Sequence, residues 1–96
     1  MEMLTDVKTK LDKIVDYLKG GGCSKIYLFG SLAEGRGKIN SDIDIAVCGI
    51  SNKEFFKAVA TLPFIVKHRV DLVDFDDLPS NYQKSIESNG VLLYAN

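Results

Sequence analysis

The spacing of apolar residues predicts the first helix of the chain. From residue 4 to residue 18 they recur every three or four positions, with lysines and aspartates between them. This is the pattern of an amphipathic helix with one buried stripe. Three consecutive glycines at 20–22 end the helix, because glycine readily adopts the left-handed conformation of a helix C-cap.

Two β-rich segments follow, separated by a glycine-rich loop. Lys25–Phe29 is a short run of β-forming residues and predicts a buried strand. Asp42–Cys48 alternates polar or small residues with large apolar ones, which predicts a strand with one packed face. The loop at 30–37 has three glycines in eight residues, and a short helix is expected at 32–34.

The second half of the chain predicts two helices and two strands. Ser51 and Glu54 have the spacing of a capping box, so a helix carrying residues 55–62 begins there. Residues 64–75 form a β-rich region whose best strand is Arg69–Phe75. A helix then begins near Asp77, a possible cap, and ends at Gly90. Residues 91–94 close the chain as a strand.

This order of elements predicts an α/β (α+β) fold. We expect a mixed sheet of three or four strands with the helices packed on one face. A length of 96 residues allows one domain, which is expected to span residues 1–96.

Composition and charge exclude several classes of protein. The hydrophobic fraction of 46% and charged fraction of 26% are typical of globular proteins, not of disordered ones. A net charge of −1 supplies no basic surface for duplex nucleic acid. Neither a membrane-spanning apolar run nor a signal peptide is apparent. Cys23 and Cys48 are too few for a disulfide scaffold and lack the spacing of a zinc site. A disulfide between them is conceivable, but reduced thiols in a cytoplasmic protein are expected.

The candidate chemistry lies in the loop and the strand that follows it. Gly30 allows close approach of a ligand to the backbone, and Ser31 offers a hydroxyl and nearby amides for phosphate. Asp42 and Asp44 are two apart on a predicted strand, so their carboxylates share a face. Such carboxylates repel one another unless a cation lies between them, and Mg²⁺ prefers these ligands.

A third carboxylate would complete a site for two metal ions. Asp71 is the best candidate, because apolar residues flank it in a predicted strand. If that strand lies beside the first two aspartates, the three carboxylates could hold two cations that neutralise a transferring phosphoryl group. Asp74, Asp76 and Asp77 crowd the same segment and are the acids that could be mistaken for it. Asp74 is three residues on, is expected to point to the other face, and is not included.

With these residues the sequence resembles the DNA polymerase β-type nucleotidyltransferase superfamily. The motif is Gly30-Ser31, ten residues, then Asp42-x-Asp44; the small size and the terminal strand resemble its minimal (MNT) branch. The resemblance implies that Gly30 and Ser31 contact nucleotide phosphate and that Asp42, Asp44 and Asp71 bind Mg²⁺. Many members carry a basic residue where this chain has Glu34. Arg36 or Lys38 could replace it in binding the triphosphate.

The resemblance also implies a reaction and a partner. Many MNT proteins are antitoxins encoded beside HEPN-domain toxins. Such an antitoxin transfers AMP from ATP to a tyrosine of its toxin, and this is the function we expect.

Each of these interpretations has an alternative. The glycine–serine pair also suits a β-turn, the paired aspartates also suit a solvent-facing strand, and Arg36 and Lys38 could simply be solvated. The lone His68 is expected to have a surface role. A non-catalytic binding module that neutralises a partner by contact is the main functional alternative. Transfer to a small molecule is disfavoured by the short chain, and DNA polymerisation by its charge.

Overall fold

The computed structural model describes residues 2–38 and 40–96. Its elements follow the predicted order. The helices are α1 (Glu2–Gly20), α2 (Gly30–Ala33), α3 (Asn52–Val66) and α4 (Ser80–Asn89), and the strands are β1 (Lys25–Phe29), β2 (Ile43–Cys48), β3 (Val70–Asp74) and β4 (Val91–Ala95). A 3-10 helix, Phe75–Asp77, lies between β3 and α4.

The four strands form one mixed sheet in the order β3-β2-β1-β4. β1 is antiparallel to both β2 and β4, while β2 and β3 run parallel. A parallel pair needs a crossover connection, and the helix α3 between β2 and β3 provides it. The predicted fold class and mixed sheet are confirmed.

The sheet is covered on both faces. Residues from α1 and α3 pack on one face, around strand residues that alternate along β1, β2 and β3: Ile14, Leu18, Ala58, Leu62 and Val66 against Ile26, Leu28, Ile43, Ile45, Val47 and Leu72. The opposite face carries a smaller cluster that includes Ile86 of α4. The expected one-sided arrangement therefore holds for α1 and α3 but not for α4.

Two predicted boundaries are corrected. Residues 64–66, assigned to a β-rich region, continue α3, because Leu62 and Val66 lie one helical turn apart and are both buried. The Ser51 cap is confirmed, since its Oγ accepts a hydrogen bond from the Glu54 amide at 3.2 Å. Asp77 does not cap α4; it lies in the 3-10 helix, and Pro79 occupies the N-cap position.

The two cysteines are buried and free. Cys23 belongs to the core beneath α1 and α3, whereas Cys48 belongs to the cluster on the other face. Burial, reinforced by the nearby Asp76 carboxylate, raises the pKa of the Cys48 thiol to about 11. Among the described residues, no helix has the length and apolar character needed to cross a membrane.

The core on the α1 and α3 face is expected to dominate stability. Leu62 is fully buried, so Leu62→Ala should lower the free energy of unfolding by about 2–5 kcal/mol. Phe64 lies on the same helix but is 82% exposed, so Phe64→Ala should change it by no more than about 0.5 kcal/mol. Urea denaturation of both variants measures the difference, and equal effects would contradict the assignment of α3 faces.

Candidate active site

The parallel pairing of β2 and β3 brings two of the predicted carboxylates together. Asp44 and Asp71 are direct partners in the register, and Phe29 at the end of β1 is the partner of Asp44 on its other side. Because side chains alternate along a strand, both carboxylates lie on the face opposite α1 and α3. The predicted convergence of these two strands is therefore present.

The electrostatics of Asp44 indicate that the third aspartate lies nearby. Burial raises the pKa of the Asp44 carboxyl, and the negative charges of Asp71 and then Asp42 raise it further. Asp42 lies just before β2, where its Oδ1 is 3.5 Å from Nε of Arg69. The three carboxylates thus share one electrostatic neighbourhood, with Arg69 compensating part of the charge on Asp42.

The chemistry of this donor set fits Mg²⁺. Oxygen ligands are what Mg²⁺ prefers, and a cation would relieve the repulsion on Asp44. Within residues 2–38 and 40–96 there is no ready-made cluster of three His, Cys, Asp or Glu side chains in metal-binding geometry.

A glycine is required at position 30 because the backbone there lies directly against the Asp44 side chain. Its φ of +74° lies in the left-handed region, and a Cβ added there would overlap the Asp44 carboxylate, with Cγ only 3.0 Å away. Gly30 also begins α2, so Ser31 lies in its first turn. The glycine–serine pair of the motif thus lies directly beside the carboxylates.

A cleft of about 370 Å³ opens next to this pair. Gly30, Glu34 and Asp71 line the cleft, and the rest of its wall comes mainly from β3, the segment after it and α4: Phe29, Val73, Leu78, Tyr82, Ser85, Ile86, Asn89 and Gly90. Tyr82 is 60% exposed at this cleft. The α4 residues were not predicted from the sequence, because nothing in their spacing shows which face of the sheet α4 covers.

The two predicted loop cations do not line the cleft. Arg36 instead pairs with Glu34, with 3.0 Å between Nη2 and Oε1, and Glu34 does line the cleft. Lys38 is exposed, and its backbone amide donates to Oγ of Ser41 at 2.7 Å. Arg36 therefore lies beside the cleft, paired with Glu34, which stands where many family members carry a basic residue.

Two of the alternative aspartates have structural partners. Oδ1 of Asp74 accepts from the Asp76 amide at 3.1 Å and thereby caps the 3-10 helix. Oδ2 of Asp76 accepts from the Gly49 amide at 2.8 Å. Asp71 is the acid of this segment that lines the cleft.

Comparison with known proteins decides the family. Residues 12–96 match the family described as polymerase beta, nucleotidyltransferase. The chain belongs to this nucleotidyltransferase family. The resemblance expected from the glycine–serine and aspartate motif is confirmed, and with it the class of enzyme.

Solved structures of toxin–antitoxin complexes resemble the chain. A toxin–antitoxin crystal structure with AMP-PNP shares 30% identity, over 88% of this chain and 73% of that chain, with a TM-score of 0.76. A tri-AMPylated Shewanella oneidensis HEPN toxin in complex with MNT antitoxin shares 26%, over 93% and 72%, with a TM-score of 0.72. The toxin–antitoxin complex MntA–HepT gives the same identity and TM-score. No curated protein matches the sequence significantly.

Proposed function

We propose that the protein is an antitoxin that transfers AMP from ATP to a tyrosine hydroxyl of a HEPN-domain toxin. The reaction requires Mg²⁺ and takes place in the cytoplasm. Residues 1–96 act as one minimal nucleotidyltransferase domain. The observation that carries the proposal is the pairing of Asp44 with Asp71 beside Gly30, with the negative charge of Asp42 also acting on Asp44.

We assign a role in this reaction to each residue of the motif. Asp42, Asp44 and Asp71 would hold Mg²⁺, with two ions expected, which supplies positive charge to the triphosphate and to the attacking oxygen. Gly30 leaves room for the nucleotide, and Ser31 with its neighbouring amides binds phosphate oxygens. Arg36 and Lys38 are the nearest loop cations for the outer phosphates, and Arg36 must leave Glu34 to reach them.

The transfer exchanges one bond to phosphorus for another. The tyrosine oxygen attacks the α-phosphorus in line, an oxygen–phosphorus bond forms, and pyrophosphate leaves with the electron pair of the bond that breaks. Asp71 is exposed and lines the cleft, and we propose that one of its carboxylate oxygens accepts the hydroxyl proton while the other helps to hold the metal. The cleft is open, so an acceptor presented by a second protein can enter it.

Two relatives support this choice of substrate and partner. One toxin–antitoxin structure holds the ATP analogue AMP-PNP. Another contains a HEPN toxin that carries three AMP groups in complex with its MNT antitoxin. Transfer of AMP to such a partner is therefore the reaction to test for this chain.

The test is a label-transfer assay with the HEPN protein encoded nearest to this gene. We expect label from the α-phosphate of ATP, and none from the γ-phosphate, to appear on a tyrosine of that protein when Mg²⁺ is present. Peptide mass spectrometry locates the modified residue. Label from the γ-phosphate alone would mean kinase chemistry and would overturn the proposal.

One observation favours the alternative of neutralisation by contact. Phe56 and Phe64 on the outer side of α3 are 69% and 82% exposed, and exposed apolar patches mark surfaces that bind other proteins. The contact function predicts that a complex forms and the toxin is silenced without any label on it. It also predicts that alanine at Asp42, Asp44 and Asp71 together leaves silencing intact.

A further inference from the structure

The single histidine links three segments of the fold. His68 lies in the turn between α3 and β3 and is partly buried. Its Nδ1 is 3.0 Å from Nζ of Lys10 in α1, and its Nε2 is 2.6 Å from the backbone oxygen of Ser41. The ring therefore bridges α1 and the segment that leads into β2.

The two partners determine which ring nitrogen accepts a hydrogen bond and which donates one. The Lys10 ammonium can only donate, so Nδ1 must accept and carries no proton. The Ser41 carbonyl can only accept, so Nε2 must carry the proton and donate it. Lys10, whose side chain is 18% exposed, is also paired with Asp6 at 3.2 Å.

The segment that His68 holds carries the first aspartate of the motif. Ser41 immediately precedes Asp42, and its amide donates to the Lys38 carbonyl at 2.9 Å. The Ile43 amide donates to the Arg69 carbonyl at 3.0 Å, while the Arg69 side chain meets Asp42. We call residues 41–43 the Asp42 segment; it is held by backbone bonds on both sides of the aspartate.

We propose that His68 is a positioning residue that fixes the Asp42 segment, and so the Asp42 carboxylate, for binding a divalent cation with nucleotide. It acts through the Ser41 carbonyl and is itself oriented by Lys10. This deepens the proposed function and rests on it for the identity of the ligand. The positioning of the segment rests on the contacts alone.

Four variants of the full-length protein test this role. His68→Ala removes both bonds, and Lys10→Met removes only the donor that orients the ring. His68→Gln keeps a side-chain amide that can donate to the Ser41 carbonyl. Lys8→Met is the matched control, because Lys8 is an exposed lysine of the same helix that pairs with Asp12.

Two measurements that need no turnover report on the segment. The first is Mn²⁺ binding in the presence of AMP-PNP, followed by electron paramagnetic resonance. The second is hydrogen exchange of the Ser41 and Ile43 amides by NMR, without metal. We expect His68→Ala to weaken Mn²⁺ binding roughly tenfold, the low end of the range for partners that orient a metal ligand. Exchange of both amides should become faster.

The other variants make the result decisive. His68→Gln should bind Mn²⁺ within about twofold of the natural protein, since it keeps the bond to Ser41. The Mn²⁺ affinity of Lys10→Met should lie between those of His68→Gln and His68→Ala. Lys8→Met should leave the affinity unchanged. Unchanged Mn²⁺ binding in His68→Ala, or equal weakening in His68→Gln, would overturn the proposal. If Mn²⁺ binding and amide exchange change as expected but no AMP transfer to a HEPN protein is found, the positioning role stands and the proposed function fails.

Discussion

Asp44→Asn is expected to abolish AMP transfer while making the folded protein more stable at neutral pH. Asp44 is half-buried, lies opposite Asp71 in the register and faces Gly30. Asp44 is a proposed Mg²⁺ ligand, so we expect removal of its charge to lower transfer by at least about a hundredfold, the upper range for residues that only orient such ligands. The label-transfer assay measures the loss.

The gain in stability follows from the raised pKa of Asp44. Its carboxyl has a higher pKa in the folded chain than in the unfolded chain, so it contributes fully below its unfolded pKa. That contribution is lost as pH rises through the raised folded-state pKa. The neutral asparagine keeps no such pH dependence, so its Tm should exceed that of the natural protein at pH 7, and the difference should shrink in acid.

Asp12→Asn is the control for this substitution. Asp12 is an exposed acid of α1 that pairs with Lys8, and its loss should leave both transfer and Tm unchanged. Undiminished transfer by Asp44→Asn would show that Asp44 is not part of the active site. A lower Tm of Asp44→Asn at pH 7 would show that the carboxylate stabilises the fold, which is the opposite of the expected effect.

Gly30→Ala is expected to reduce transfer by roughly a hundredfold, because a displacement of about 1 Å in a catalytic group can cost this much. The added methyl group would overlap the Asp44 carboxylate, which must then move. The positive φ of Gly30 adds a backbone strain of about 1–2 kcal/mol. Transfer rates and urea denaturation measure the two effects separately.

Gly35→Ala separates strain from displacement. Gly35 has a φ of +76°, almost the value at Gly30, but nothing lies within 4 Å of an added Cβ. It should therefore lose similar stability and keep most of its transfer activity. If both variants lost activity to the same degree, the close approach of Gly30 to Asp44 would have no special role.

Local pattern was sufficient to predict most of the elements. The strand at Lys25–Phe29 and the Ser51 cap are both observed, since strand propensity and capping depend on neighbours in sequence. The end of α3 was misjudged at residues 64–66, where burial of Val66 beside Leu62 outweighs β propensity. The face covered by α4 depends on tertiary packing, which spacing does not encode.

The same distinction applies to the site. The alternation of side chains along a strand predicted that Asp42 and Asp44 share a face, and Asp71 was expected to join them if its strand lay beside theirs. The register shows Asp44 beside Asp71. Which distant residues lie near them could not be predicted in this way. Arg69 and His68 approach the site because of the turn after α3, where Lys67 adopts a left-handed conformation with φ of 53°. The interpretation of His68 as a surface residue missed its contacts with Lys10 and Ser41.

The place of β3 in the strand order has a consequence for control of the enzyme. β3 is an edge strand in the described sheet, supported by β2 on one side only. Edge segments open more readily than central ones, and a partial opening can leave the rest of a domain folded. Fraying of β3 alone would carry Asp71 away from Asp44 and leave the β1–β2 hairpin in place. The arrangement of Asp44 and Asp71 is thereby tied to an edge strand of the described sheet, so local opening of that strand would inactivate the enzyme while the domain stays largely folded.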